Sequence, residues 1–184
     1  MDQGLIPSRY AKALYKVGAE RKVNPELYKV MQALSGAFDA EPGLAASVAN
    51  PFVTDKDKTA LLRTAVQGAT TDATALETYT DFLTLLIRNR RIDMVREIAR
   101  AFTDYYRKEN RIARVEVVSA APLSPAVEAR LKSIIEAHLD GGSMEYSSRV
   151  DPGLIGGFIV NLNSERLDAS VRNELKQLRL SLIS

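Results

Sequence analysis

Residues 76–105 read LETYTDFLTLLIRNRRIDMVREIARAFTDY and contain two amphipathic helix patterns joined by a short polar corner. In the first pattern, apolar residues recur three or four positions apart, as on one face of a helix: Leu76, Tyr79, Phe82, Leu83, Leu86 and Ile87. The second pattern repeats that spacing with Ile92, Val95, Ile98, Ala99, Phe102 and Tyr105. Because the corner, Arg88-Asn89-Arg90-Arg91, is short, we expect the two helices to pack antiparallel in a bundle.

Four further helical patterns precede this pair. The first carries an apolar stripe and is expected to end near Arg21; its stripe is Ile6, Tyr10, Ala13, Leu14 and Val17. Asn24-Pro25 then predicts an N-cap and the first helical residue of a second helix. A short helix over 44–48 follows, and Thr54 with Asp57 resembles a capping box that opens a fourth helix. Residues 1–109 are therefore predicted to form a six-helix bundle.

Beyond residue 109 the apolar pattern changes from helical to strand spacing. Val115 and Val117 alternate with polar residues, and residues 144–150 alternate in the same way. Ser124-Pro125 begins a helix between them, and a third strand spans 158–162. Residues 163–166 are predicted as a turn, and a last helix starts near Ser170, with the stripe Val171, Leu175, Leu178 and Leu182. Residues 110–184 are therefore predicted as a small α+β domain of order β-α-β-β-α, in a chain that is mainly α.

The composition argues against most catalytic chemistry. The 184 residues include no cysteine and one histidine, His138, which excludes disulfide scaffolds, thiolate metal sites and cysteine nucleophiles. We expect no catalytic residue, cofactor or metal. A net charge of +2 does not favour nucleic acid as a partner. No apolar run approaches the ~18 residues that span a bilayer, so direct membrane insertion is not expected.

One histidine and one basic corner leave an alternative function open. His138 lies near a helix end without a nucleophile or carboxylate pair at a telling spacing, and residues 88–91 form a basic corner. The alternative is a small anion-binding or enzymatic domain that uses His138 and the Arg88–Arg91 corner. The glycines Gly153, Gly156 and Gly157 precede a strand, whereas phosphate loops precede a helix, so they predict a tight turn.

The first and fifth helices carry more apolar surface than a core of this size requires. Small residues accompany the stripe of the first helix, at Ala11, Ala13 and Gly18, and would let another helix approach closely. The pattern alone is equally consistent with plain core packing and with a groove that accepts an amphipathic helix.

Four segments together resemble one known family. They are residues 150–160, VDPGLIGGFIV; residues 167–175, LDASVRNEL; residues 9–15, RYAKALY; and residues 89–92, NRRI. In these motifs and in length the chain is similar to the delta subunits of F-type ATP synthases, the family that includes the mitochondrial oligomycin-sensitivity-conferring protein.

The resemblance implies a non-catalytic stator subunit that links the catalytic head to the peripheral stalk during ATP synthesis driven by protons or sodium ions. It implies a location on the cytoplasmic face of a bacterial inner membrane. It also implies a groove for the N-terminal helix of an α subunit, lined by Tyr10, Ala13, Leu14, Val17, Tyr79, Phe82, Leu83 and Leu86. The C-terminus of the stalk b subunit is expected to contact the C-terminal domain at Gly156, Gly157, Leu175, Leu178 and Leu182.

Overall fold

The computed structural model describes residues 5–139, 141–163, 165–170 and 173. The chain divides into two compact units, Met1–Tyr106 and Arg107–Ser184. We call them the helical unit and the sheet unit and describe each by itself.

Six α-helices follow one another in the first part of the chain, as the apolar periodicity predicts. They are α1 (Leu5–Glu20), α2 (Asn24–Ala40), α3 (Pro42–Ala49), α4 (Asp55–Ala65), α5 (Ala73–Arg88) and α6 (Val95–Glu109). A single 3₁₀ turn, Ile92–Met94, leads into α6. The predicted mainly α class, with a helical bundle followed by a small α+β domain, is confirmed.

Two predicted helix starts differ in outcome. At α4 the predicted cap forms at Thr54, whose hydroxyl accepts a 3.2 Å hydrogen bond from the Asp57 amide; its second bond differs from a capping box, because the hydroxyl itself donates to the Asp57 carboxylate (2.7 Å). The cap predicted at Asn24 is wrong, because Val23 holds the N-cap position without a side-chain hydrogen bond. Instead the Asn24 side chain turns towards α1 and lies against Gly18, where a glycine leaves it room.

All six helices contribute to one apolar core. The largest fully buried side chains of the helical unit include Leu27, Met31, Leu34, Leu62, Tyr79, Leu83, Leu86, Ile98 and Phe102. Helices α1 and α5 run antiparallel, since Tyr10 accepts a hydrogen bond from Asn89 at one end (3.1 Å) and Arg21 pairs with Asp81 at the other (3.2 Å). This pairing positions the candidate site.

The sheet unit contains four strands in the order β2-β1-β3-β4. Its elements are β1 (Ile112–Ser119), α7 (Pro125–His138), β2 (Ser143–Val150), β3 (Gly157–Leu162) and β4 (Glu165–Ser170). Strands β1 and β2 are parallel and are joined through α7, while β1–β3 and β3–β4 are antiparallel. Leu131 and Ile135 of α7 pack against Val115, Val117 and Val160 of the sheet.

The fourth strand corrects the sequence prediction, which placed a turn over residues 163–166 and then a helix. The turn ends sooner, and Glu165–Ser170 pairs along its length with β3. This strand is polar because it lies at the sheet edge: among the described residues no strand pairs with its other side, and little apolar surface is buried there. The predicted last helix falls outside the described residues except for Asn173, whose amide donates to the Ser170 hydroxyl as a helix cap does.

Candidate partner-binding groove

An open groove lies between α1 and α5 of the helical unit. Helix α1 turns Ala11, Leu14 and Gly18 into the bundle. Tyr10, Ala13 and Val17 lie on its neighbouring edge, and Val17 is 38% exposed. The small residues of α1 therefore have two separate roles: Ala11 and Gly18 let the chain pack closely within its own bundle, whereas Ala13 is exposed in the groove.

The groove consists of two depressions that share Ala13 and Leu85. The first, about 490 Å³, is lined by Ile6, Arg9, Tyr10, Ala13, Leu85 and Arg91. The second, about 140 Å³, is lined by Ala13, Leu14, Val17, Arg21, Thr78, Asp81, Phe82 and Leu85. Because two residues line both depressions, they form one continuous surface, which we call the α1–α5 groove.

Five of the eight residues predicted for this groove line it, and three do not. Tyr10, Ala13, Leu14, Val17 and Phe82 are lining residues. Tyr79, Leu83 and Leu86 lie in the neighbouring row of α5, which faces the interior of the bundle; they are 0% exposed and belong to the core. Tyr79 donates a hydrogen bond to the Leu62 carbonyl oxygen (3.1 Å), and burial raises the pKa of its hydroxyl.

The sequence prediction missed Leu85, which is 44% exposed on α5. Thr78, Phe82 and Leu85 follow one another at i, i+4 and i+7, so they form a row beside the core row of Tyr79, Leu83 and Leu86. The signal was the group of four apolar residues Leu83, Leu85, Leu86 and Ile87, which is wider than one helix face can bury. Ile6 is likewise a lining residue that the predicted set lacked.

The two ends of the groove differ in charge. At the end near Val17, the Arg21 guanidinium donates to the Thr78 hydroxyl (2.9 Å) and pairs with Asp81 (3.2 Å). At the end near Ile6, Arg9 and Arg91 line the first depression. Within the described part of the chain neither of these arginines has a carboxylate at ion-pair distance.

Of the residues predicted to contact the stalk, the structure describes the two glycines but not the three leucines. Gly157 has a left-handed φ of +79°, and a side chain there would collide with the Ala169 carbonyl oxygen of β4. The fold therefore requires a glycine at this position, whatever binds nearby. Gly156 is half-buried beside it. Leu175, Leu178 and Leu182 lie outside the described residues.

The structure describes only part of the alternative site. The side chain of His138 is outside what the structure describes, and the arginine corner is an exposed helix end in which Arg90 has a φ of +54°. Among the described residues no group of three or more His, Asp or Glu side chains is placed to hold a metal ion. Of the helices in the described ranges, none is both long and apolar enough to cross a bilayer.

Comparisons with known proteins agree with one another. The family model described as ATP synthase delta (OSCP) subunit matches residues 6–182. The chain is 36% identical to the ATP synthase subunit delta of Bacteroides thetaiotaomicron over 183 residues, which is 100% of this chain and 96% of that protein. It is 34% identical to the subunit delta of Parabacteroides distasonis, over 100% of this chain and 98% of the relative.

A solved structure shares the fold. A chain of the mitochondrial ATP synthase hexamer of Toxoplasma gondii, determined by cryo-EM, aligns with a TM-score of 0.72 at 22% identity and covers 97% of each chain. The family match spans nearly the whole sequence, both units included. The chain therefore belongs to the ATP synthase delta (OSCP) subunit family, as a structural rather than a catalytic subunit of the F-type ATP synthase.

Proposed function

We propose that this chain is a stator subunit that holds the N-terminal helix of an α subunit in the α1–α5 groove and so attaches to the catalytic head. The observation that carries the proposal is the continuous groove, with its apolar lining from two antiparallel helices. Grooves of this kind bind the apolar face of an amphipathic helix. Membership of the family supports an ATP synthase subunit as the source of that helix.

The dimensions of the groove suit a short helix. Arg9 of α1 and Arg21, which directly follows α1, lie at its two ends, and twelve residues of helix span about 18 Å. An occupant of about three turns would therefore run its full length. The second depression, about 140 Å³, is close to the volume of about 150 Å³ that holds one benzene molecule, so it can accept one apolar side chain of the occupant.

The stator role requires a second attachment, which we assign to the sheet unit. This unit is compact in itself, and it would contact the C-terminus of the stalk b subunit near Gly156 and Gly157 and through Leu175, Leu178 and Leu182. As part of the ATP synthase, the chain would be peripheral, on the cytoplasmic face of a bacterial inner membrane. It would hold the head still against a rotor driven by protons or sodium ions.

The substitution Ala13→Asp tests the groove. It places a carboxylate where both depressions meet, and an unpaired charge buried under an apolar helix should weaken binding by at least about 2 kcal/mol, or about thirtyfold. The measurement is calorimetric titration of the full chain with a synthetic peptide of the cognate α N-terminal helix. Ala60→Asp, on the exposed face of α4, is the matched control and should bind the peptide normally.

Unchanged peptide affinity in a folded Ala13→Asp variant would overturn the groove as the site. The assignment of the sheet unit has its own test, in which amide chemical shifts are followed during titration with a peptide of the b C-terminus. We expect shifts in the strands of the sheet unit and none in α1 or α5. Shifts confined to α1 and α5 would overturn that assignment.

A further inference from the structure

We infer that the helix bound in the α1–α5 groove carries a carboxylate that pairs with Arg9 and Arg91, and that this pair sets the position of the helix along the groove. The inference rests on the proposed function, because it takes a partner helix as the occupant. The bound helix would carry an acidic side chain on the surface that faces the groove, and the end of the groove with Arg9 and Arg91 would bind it.

Two elements bring the arginines to the same depression. Arg9 lies on the first turns of α1, and Arg91 follows the C-terminus of α5. The backbone fixes Arg91 there: its amide donates to the Leu86 carbonyl (2.8 Å), while the Arg90 amide donates to the Ile87 carbonyl (2.9 Å). With Arg90 in the left-handed region, these two bonds form the Schellman ending of a helix.

This ending matters because it places Arg91 without the help of a salt bridge. Neither Arg91 nor Arg9 has a carboxylate at ion-pair distance among the residues that the structure describes. Both side chains are exposed, and both border the apolar surface formed by Ile6, Tyr10 and Leu85. Two guanidinium groups beside an apolar surface form a site for a carboxylate on a residue flanked by apolar ones.

The opposite end of the groove lacks this property. Arg21 already donates to Thr78 and pairs with Asp81, so its charge is largely neutralised by the chain itself. An incoming carboxylate there would also face the charge of Asp81. The groove is therefore positive at one end and balanced at the other, and such asymmetry selects one placement of a charged partner over others.

The geometry predicts a pattern in the occupant. From Arg9 to Val17, eight residues of α1 span about 12 Å, which is about eight residues of a partner helix lying alongside. An acidic residue opposite the arginines should therefore lie about two turns, in one direction or the other, from an apolar residue that enters the second depression. Between them, small or apolar side chains must pass over Ala13 and Leu85.

A charge-swap experiment tests the inference. In the full chain, Arg9→Glu together with Arg91→Glu should lower affinity for the α N-terminal peptide at least about tenfold. A panel of the same peptide, each with a single acidic residue changed to Lys, is then titrated into the variant. We expect one member of the panel to regain most of the lost affinity and the others to bind no better than the parent peptide.

Arg88→Glu together with Lys56→Glu is the matched control, since it reverses the same number of charges at two exposed residues that line neither depression. It should change the affinity much less. The inference is overturned if no peptide of the panel rescues the double variant, or if all rescue it equally. If the panel fails in either way while Ala13→Asp still weakens peptide binding, the groove remains the binding site and only the charge pair is wrong. If Ala13→Asp has no effect either, the proposed function is wrong.

Discussion

The helical unit and the sheet unit hold their shapes in different ways. In the helical unit, residues from all six helices are buried in one cluster. In the described part of the sheet unit, the buried cluster under α7 consists of Val115, Val117 and Val160, with half-buried residues around it. The other face of that sheet carries ion pairs such as Glu116–Arg149. Apolar packing therefore stabilises mainly the helical unit, whereas backbone pairing and surface polar contacts contribute relatively more to the sheet unit.

The largest expected effect is a loss of core packing in the helical unit. Leu83→Ala removes a side chain that is 0% exposed, which should lower the free energy of unfolding by about 2–5 kcal/mol. Leu85→Ala, two positions away and 44% exposed, should cost less than about 0.5 kcal/mol. Urea unfolding followed by helical circular dichroism measures both. Equal losses would mean that Leu85 is covered in solution and that the groove is closed.

A smaller effect is expected from backbone strain in the sheet unit. Gly157→Ala forces an L-residue into a left-handed conformation, which costs about 1–3 kcal/mol. It also brings the new methyl group against the β4 backbone, with the Ser170 Cα at 3.0 Å. Gly141→Ala is the matched control, because Gly141 has a φ of +81° but no heavy atom within 4 Å of the added carbon.

Amide hydrogen exchange of β3 and β4 measures this difference. The Gly157 variant should lose protection there, the Gly141 variant should lose less, and the amides of the bundle core should be unaffected in both. If the two variants lose the same protection, the close approach of β3 and β4 is relaxed in solution. In that case pairing at this edge would matter less to the sheet unit than the comparison of the two units suggests.

The smallest effect is a dependence of the sheet unit on pH. Hydrogen bonds to Glu116, first from Arg149 (2.9 Å) and then from Asn161 (3.0 Å), hold the pKa of that carboxyl below its usual value. The ionised form is therefore favoured in the folded state, so its contribution is complete above the unfolded pKa and is lost as pH falls through the folded one. The sheet unit should lose stability between about pH 6 and about pH 3.

Glu116→Gln tests this contribution, because the amide cannot titrate and the loss between the two pH values should be smaller. The measurement is the urea midpoint of the β1 amide signals at both pH values. Glu136→Gln, which removes an exposed carboxylate of α7, serves as the control and should leave the loss as it is in the unchanged chain. The same loss in the Glu116 variant would show that the pairing with Arg149 does not stabilise the sheet.

The helices were predictable because each buries one stripe of apolar residues at helical spacing, with turns short enough to force antiparallel packing. The start of α2 was not predictable in the same way. Asn24 is a residue type that often caps helices, but its side chain packs against Gly18 of α1 instead. The space over Gly18 exists because of the way α1 and α2 pack together, so the sequence near Asn24 does not indicate it. Strand β4 was not predicted because it lacks an alternating apolar pattern. Leu167 is its one large apolar residue and is 65% exposed.

The sequence indicated which two helices form the groove better than it indicated which of their residues line it. The fifth helix has more apolar residues than it buries, and Leu85 is the one that is 44% exposed. Sequence spacing alone does not say which apolar residue of the fifth helix stays exposed, because Leu85 and Leu86 are neighbours and both are apolar. The packing of α1 against α5 decides it, and places Leu85 outside and Leu86 inside.

The floor of the groove consists of Leu14 and Phe82, which are also members of the bundle core. Ligand binding and folding are therefore thermodynamically linked through shared side chains. A helix present at one hundred times its dissociation constant would add about 2.7 kcal/mol to the free energy of unfolding. The melting temperature of the helical unit would then depend on partner concentration, and the partner would partly rescue a bundle weakened by a core substitution.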